Sequence, residues 1–214
     1  MKDIVIIGAG GFGREIKCLI DDINDYHDNV VYNIIGFIDD GIQKGKEING
    51  VKVLGGIDFL KNLDKEMSLV FGIGNPKIKS EVYMKTKNFN FPKIIHPSVS
   101  LSGDKISIGK GSVICKGTIL TCNIEISDFV TINLQCTIGH DVKMNNFISI
   151  MPGVNISGEV TLQESVYIGT GAKIINQLEI GKKTVIGAGA VVSKSIPENC
   201  TAVGIPAKVI KYND

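Results

Sequence analysis

The fold is decided by the stretch Ile106–Ser195, which parses into sixes: ISIGKG (106–111), SVICKG (112–117), TILTCN (118–123), IEISDF (124–129), VTINLQ (130–135), CTIGHD (136–141) and so on to AVVSKS (190–195). The third residue of each hexad is Ile108, Ile114, Leu120, Ile126, Ile132, Ile138, Met144, Ile150, Ile156, Leu162, Ile168, Ile174, Ile180, Ile186 and Val192. All fifteen are large and aliphatic. The residue two before is small or β-branched in most hexads, as at Ser112, Thr118, Val130, Cys136, Val142, Val154, Ala172, Thr184 and Ala190. An α-helix would repeat apolar residues at three and four, not at six. Residues two apart on a strand share a face, so positions one and three point inward together. Gly109, Ser127, Asp128, Gly139, Asn145, Asn146, Gly169 and Gly181 then fall where the chain turns a corner. Three hexads close one triangular coil, and a fixed short period of this kind builds a solenoid. Five coils at the inter-strand spacing give a prism roughly 24 Å tall. The pattern carries no handedness; the general rule for parallel crossovers favours right-handed connections.

Bulk properties narrow the class. The 214 residues suffice for two modest domains, and a formal net charge of +1 gives no overall field for nucleic acid or membrane. No run reaches the length of a membrane span, and MKDIVIIGAG reads as a short strand entering a Gly-rich turn, not as a signal peptide. Neither nucleic-acid binding nor membrane insertion is expected. Cys18, Cys115, Cys122, Cys136 and Cys200 are odd in number and form no CxxC pair, which suits reduced thiols in the cytoplasm, mostly as packing residues. No metal is expected.

Residues 1–94 have another texture and are assigned to a small α/β, Rossmann-like domain; 95–214 form the repeat domain with its tail. Ile4–Ile7 is an apolar strand running into Gly8-Ala9-Gly10-Gly11-Phe12-Gly13, and a helical pattern follows from Arg14 to about Ile23. Val30–Ile38 reads as a second strand closing on Asp39-Asp40-Gly41. Ser68–Phe71 is a third, ending in Gly72-Ile73-Gly74-Asn75, before a helix over Lys77–Lys87. The boundary falls in Asn90–Ser98, where Pro92 and Pro97 limit regular structure. Gly8–Gly13 matches G-x-G-x-x-G, in which glycines let backbone approach a pyrophosphate at a helix N-terminus. A nucleotide-sugar, a dinucleotide with Asp39 or Asp40 on a ribose, and a turn without ligand all fit that motif alone. The domain is about half a full dinucleotide fold, which favours a mononucleotide diphosphate.

The repeat contains one histidine, His140, at a corner position beside Asp141. A solvated surface histidine is the plain alternative. Against it stand the position of the repeat's one imidazole in mid-stack, an adjoining carboxylate, and Asn133 seven positions earlier. Together they make a candidate base, an orienting acid and a substrate ligand.

Isoleucine-rich hexads, an outward His140-Asp141 and the closing Val203-Gly204-Ile205-Pro206-Ala207-Lys208 resemble the hexapeptide-repeat acyltransferases. With GAGGFGRE, FIDD and GIGN in front, nearly the whole chain resembles the sialic-acid O-acetyltransferase (NeuD-like) family of sugar O-/N-acetyltransferases, which includes N-acetyltransferases of nucleotide-linked 4-amino sugars. The resemblance implies a left-handed parallel β-helix, a homotrimer, acetyl-CoA as co-substrate in a groove between neighbouring prisms, and a place in glycan biosynthesis. It implies Gly10, Gly11 and Phe12 against the diphosphate, Asp39 and Asp40 near the ribose or base, and Gly72, Ile73, Gly74 and Asn75 completing that pocket. It makes His140 the general base, Asp141 its acidic partner and Asn133 a polar substrate contact. Gly158, Thr170 and Ala188 fall along the pantetheine arm, and Ile205, Pro206 and Lys208 cover the CoA nucleotide. Two positions depart from the family. Ser149 stands where many relatives carry a second histidine that contacts acetyl-CoA, and Phe12 where some carry a histidine near the sugar phosphate. O-acetylation of a sugar hydroxyl, or a non-catalytic trimeric sugar-binding scaffold, are the competing functions.

Overall fold

A computed structural model describes residues 1–27, 30–101 and 103–213. The chain divides into two compact units, Met1–Pro97 and Ser98–Asp214.

In the first unit, β1 (Lys2–Ile7) leads into α1 (Gly11–Tyr26), then β2 (Tyr32–Ile38). A hairpin of β3 (Glu47–Ile48) and β4 (Val51–Gly55) follows, then a short 3-10 helix over Ile57–Asn62, β5 (Ser68–Phe71) and α2 (Pro76–Thr86). The sheet order is β3-β4-β2-β1-β5. Strands β4, β2, β1 and β5 are parallel neighbours, with Ile7 opposite both Ile38 and Phe71, and Ile38 opposite Gly55. All four therefore end on one edge. Ile4, Val5, Ile6, Leu69 and Val70 are buried, as continuous apolar runs in a parallel sheet should be. The second strand starts at Tyr32 rather than Val30: the Asn24 carboxamide accepts from the N–H groups of Val31 and Tyr32 and donates to the Tyr32 carbonyl. That tie fixes the strand entrance from α1. The first helix also runs longer than its apolar pattern, because Gly10 in extended conformation starts it at Gly11. The hairpin turns on Asn49 (φ +48°) and Gly50 (φ +80°), the left-handed pair that a two-residue turn demands.

The second unit is a parallel β-helix. Each hexad contributes a two-residue strand, and residues eighteen apart pair in parallel: Ile108, Ile126, Met144, Leu162 and Ile180 down one face, for example. A second face carries Ile114, Ile132, Ile150, Ile168 and Ile186, and the third Leu120, Ile138, Ile156, Ile174 and Val192. Of the fifteen third-position residues all but Ile108, at the open end, are buried, and the small first-position residues are buried with them. Each buried side chain contributes roughly 1.5–3 kcal/mol, so the apolar column holds the prism together.

The corners obey a rule that apolar spacing does not reveal. The sixth residue of every hexad but the last, and Lys105 before the first, has positive φ, including Asn123 (+55°), Phe129 (+60°), Gln135 (+55°), Asp141 (+59°), Phe147 (+61°), Glu159 (+59°) and Gln177 (+62°). No Val, Ile or Thr stands at any of these positions, consistent with the strain a β-branched residue meets there. Side chains one coil apart therefore stack on matching backbone. Phe129 and Phe147 show it, with ring centroids 5.1 Å apart and planes 6° from parallel.

Candidate active site

In the first unit, the common strand edge carries the Gly-rich turn, Asp39–Gly41, Gly55–Ile57 and Gly72–Asn75. The glycines divide by role. Gly8 turns the chain at φ +99°. Gly13 lies so close to the Gly8 carbonyl that any Cβ would overlap it, and a Cβ on Gly72 would come 2.5 Å from the Gly13 Cα. These glycines let helix and strands pack. Gly10 and Gly11 face open space, where nothing in the chain forbids a side chain. Turn, open approach and close packing are the three uses that a pyrophosphate-binding glycine motif makes of its glycines. The first N–H groups of α1, at this edge, have no carbonyl within the helix to receive them. Phe12 is half-buried in that first turn.

Asp39 braces this edge. Its Oδ2 accepts from the Ala9 N–H at 2.8 Å and its Oδ1 from the Gly41 N–H at 2.9 Å. Asp40 is exposed, and its Oδ1 accepts from the Ile57 N–H at 2.8 Å. Asn75 caps α2 by accepting from the Ile78 N–H at 3.2 Å. Ile73 and Gly74 are half-buried beside it. Sequence reading placed these side chains near a ligand but missed that Asp39 and Asn75 also hold backbone.

In the second unit, His140 and Asp141 sit at the corner after the Thr137–Ile138 strand. His140 Nδ1 lies 2.7 Å from Asp141 Oδ2, with both side chains about half exposed. The ring lies on Gly158, one coil further on, so closely that a Cβ there would overlap Cε1 and Nε2. Gly139 leaves room in turn for the Gly158 backbone, since its own Cβ would come 2.6 Å from the Gly158 nitrogen. The corner is tied by the Glu159 N–H donating to the His140 carbonyl at 2.8 Å and the Asp141 N–H to the Cys122 carbonyl at 3.1 Å. The His140 hydrogen bond, with a smaller contribution from the Asn123 amide, holds the Asp141 carboxyl below its ordinary range against the opposing desolvation. Such a pair fixes which ring nitrogen faces Asp141 and leaves Nε2 for chemistry. A shallow groove of about 570 Å³ runs beside it, lined by Asn123, Asp141, Glu125 and Lys143 among others.

The remaining expected residues gather elsewhere on the prism. Asn133 is buried at the next corner of the coil; its Oδ1 accepts from the Leu134 N–H at 2.7 Å. It does not meet His140 within one chain, because consecutive hexads end on different corners. Thr170 and Ala188 are exposed on Asn133's corner, one and two coils beyond Pro152 in the same column. The tail joins them: the Val191 N–H donates to the Gly204 carbonyl at 3.0 Å and the Ala207 N–H to the Val191 carbonyl at 2.8 Å, leaving Ile205, Pro206 and Lys208 exposed. Ser149 is fully buried, and its Oγ is the one buried side-chain polar atom among the described residues without a hydrogen-bond partner. The expected cofactor set thus splits: Gly158 with His140 on one corner, Thr170, Ala188 and the tail on another.

Other chemistry is sparse. Cys115, Cys136 and Cys200 are buried, and burial pushes the Cys136 thiol up to about 11. Among the described residues no group of three or more His, Cys, Asp and Glu side chains is placed to hold a metal. No described helix is long and apolar enough to cross a membrane.

A glycine-edged α/β unit followed by a hexad β-helix with an outward imidazole–carboxylate pair defines the hexapeptide-repeat acyltransferase class. Residues 3–86 match the family described as the PglD N-terminal domain. The acetyltransferase domain of PglB from Neisseria gonorrhoeae, solved with acetyl coenzyme A, is 30% identical at TM-score 0.84, over 98% of this chain and 99% of that one. WeeI from Acinetobacter baumannii is 30% identical at TM-score 0.85, over 98% of this chain and 100% of that one. A variant of perosamine N-acetyltransferase from Caulobacter crescentus, in complex with CoA and GDP-perosamine, is 26% identical at TM-score 0.84, over 99% and 98%. No curated sequence matches the chain. The chain belongs to the family of hexapeptide-repeat sugar acetyltransferases that includes PglB and WeeI.

Proposed function

We propose that this protein transfers the acetyl group of acetyl-CoA directly to the amine of a nucleotide-linked amino sugar, with His140 as general base and with the site completed by a second copy in a homotrimer. The observation that carries the proposal is the His140–Asp141 pair, 2.7 Å apart, with its ring seated on Gly158. Acetyl-CoA supplies an activated thioester. His140 Nε2 accepts the proton that the attacking amine sheds, and Asp141 holds the ring and stabilises its charged form. The Gly158 N–H, at the corner under the ring, is the donor for the acyl oxygen as that oxygen gains charge. Among the described residues no hydroxyl or thiol hydrogen-bonds the His140 ring, whose partner is Asp141, which favours transfer without an acyl-enzyme.

The nucleotide's diphosphate is assigned to the open Gly10–Gly11 edge of the first unit and the first turn of α1, with Phe12 beside it. Asp40 is the better candidate for ribose or base, since Asp39 already accepts two backbone N–H groups. Gly72–Asn75 borders the same edge. Relatives solved with acetyl-CoA and with CoA and GDP-perosamine support these two classes of ligand and favour an amine acceptor over a hydroxyl. The split of the cofactor set supports a shared site. His140 and Gly158 of one copy would face the exposed Thr170, Ala188 and Lys208 of the next, as a heterologous interface closing into a ring requires.

The test is incubation with acetyl-CoA and UDP-, GDP- or CMP-linked amino sugars, reading free thiol and product mass. Acetylated amine is expected from at least one donor. Hydrolysis alone, or acetylation of a hydroxyl, contradicts the proposal. Copies carrying His140→Ala mixed with copies carrying Ala188→Trp test the shared site: random trimers should recover about a quarter of the sites. No recovery would place the whole site within one chain.

A further inference from the structure

We infer that Asn123 is a positioning residue: its carboxamide holds the Asp141 carboxylate in the orientation that presents His140. This rests on His140 being the base. Asn123 stands eighteen residues before Asp141, at the same hexad position, one coil below. Both backbones are fixed in the left-handed region, at φ +55° and +59°, and each is tied to the coil beneath it: the Asn123 N–H donates to the Asp104 carbonyl at 2.8 Å, the Asp141 N–H to the Cys122 carbonyl at 3.1 Å. Matching backbones one coil apart aim their side chains along one column. The Asn123 and Asp141 side chains are therefore neighbours in that column, and both line the groove beside His140; the Asn123 amide is also among the groups that lower the Asp141 carboxyl.

The column continues upward as Glu159 and Gln177. Gln177 Nε2 lies 3.3 Å from both oxygens of Glu159. Two carboxylates, Asp141 and Glu159, are thus neighbours in the stack, and an amide stands at each outer end. The amides are neutral: they hold the carboxylates without cancelling the charge that Asp141 offers His140. Lys143, on the strand after the pair, is 3.5 Å from Glu125, and Lys105 stands one coil below Asn123 in the same column. Lys105, Glu125 and Lys143 line the same groove, and Glu159 stands one coil above Asp141. An asparagine tolerates left-handed backbone anywhere, but that tolerance does not explain an amide stacked beside the one carboxylate that orients the base. Glycine separates the two explanations, since it keeps the turn and deletes the amide.

The experiment compares Asn123→Gly, Asn123→Asp and His140→Ala in the full chain. It reads kcat, KM for acetyl-CoA, the pH dependence of kcat and the thermal midpoint. Asn123→Gly should fold with an equal or higher midpoint, keep KM, and lose about tenfold in kcat, the scale of one hydrogen bond to a charged group. Asn123→Asp adds a carboxylate to the column, so the imidazole holds its proton more tightly. The acid limb of its kcat profile should move upward by on the order of half a pH unit. Wild-type kcat and profile in both Asn123 variants, while His140→Ala loses turnover, would overturn the positioning role alone. A loss in Asn123→Gly without any movement of the Asn123→Asp profile would also overturn it, leaving a structural effect. Full turnover in His140→Ala would remove the premise.

Discussion

Gly158→Ala should separate stability from catalysis with opposite signs. The added methyl would overlap His140 Cε1 and Nε2, while Gly158 lies outside the left-handed region, so the alanine backbone is unstrained. Normal contact between carbon atoms begins near ~3.5 Å, so the ring must retreat by about 1 Å. It can, because the side chain is 57% exposed and not locked in the core. The fold is therefore spared, and loss of glycine's freedom in the unfolded chain contributes roughly 0.4–1 kcal/mol of stability. The 2.7 Å bond to Asp141 and the aim of Nε2 are not spared. A misplacement of ~1 Å at a reacting group costs on the order of 100-fold in rate. Thiol release from acetyl-CoA gives kcat, and a thermal melt gives stability. A drop of about two decades in kcat with an equal or raised midpoint is expected. Wild-type kcat would refute the reasoning, because it would mean the ring's seat on Gly158 is irrelevant to turnover. Gly139→Ala is the contrast: its Cβ meets Gly158 backbone nitrogen at 2.6 Å, so it should lower stability as well.

Three further outcomes are expected. Ile132→Asp puts a carboxylate on a fully buried position, losing roughly 1.5–3 kcal/mol of apolar burial and adding an uncompensated charge; circular dichroism of a soluble, wild-type-like protein would refute the inward column. Asp39→Ala removes both backbone bonds at the Gly-rich edge and should raise KM for the nucleotide sugar but not for acetyl-CoA; equal KM values for both substrates in variant and wild type would count against that edge. Lys79 is fully buried, and desolvation pushes it down from 10.5 to about 7. The folded state therefore gives up this proton near 7, while the unfolded chain keeps it to 10.5. Stability should rise with pH between those values, by at most ~1.4 kcal/mol per unit. Lys79→Met should flatten that rise in chemical melts, and an unchanged slope would show that the lysine does not drive it.

Much of the β-helix was legible because one signal, a large aliphatic residue at the third position of the hexad, repeats fifteen times in the sequence. The left-handed sixth position was equally present, in the absence of Val, Ile and Thr, but it is an exclusion and leaves no apolar signal. Asn49-Gly50 is a turn pair of the type that joins a hairpin, but the weak alternation around it left the segment unassigned until the structure. The site was legible only in part. His140 and Asp141 are neighbours in sequence, so their pairing needed no fold. Asn123 and Gly158 lie eighteen residues to either side of Asp141 and His140, and only the coil length brings them there. Asn133 appeared near His140 by sequence distance, yet each hexad turns the chain to the next corner, so seven residues separate them by a face. Asp39 and Asn75 read as ligand contacts because their types suit a nucleotide; their backbone bonds depend on where the parallel strands end.

The most direct measurement is single-turnover acetyl transfer by His140→Ala, alongside its affinity for acetyl-CoA by calorimetry. Loss of about 10²–10⁴-fold in transfer with binding retained is expected of a missing general base. Transfer at the wild-type rate would contradict the assignment of His140.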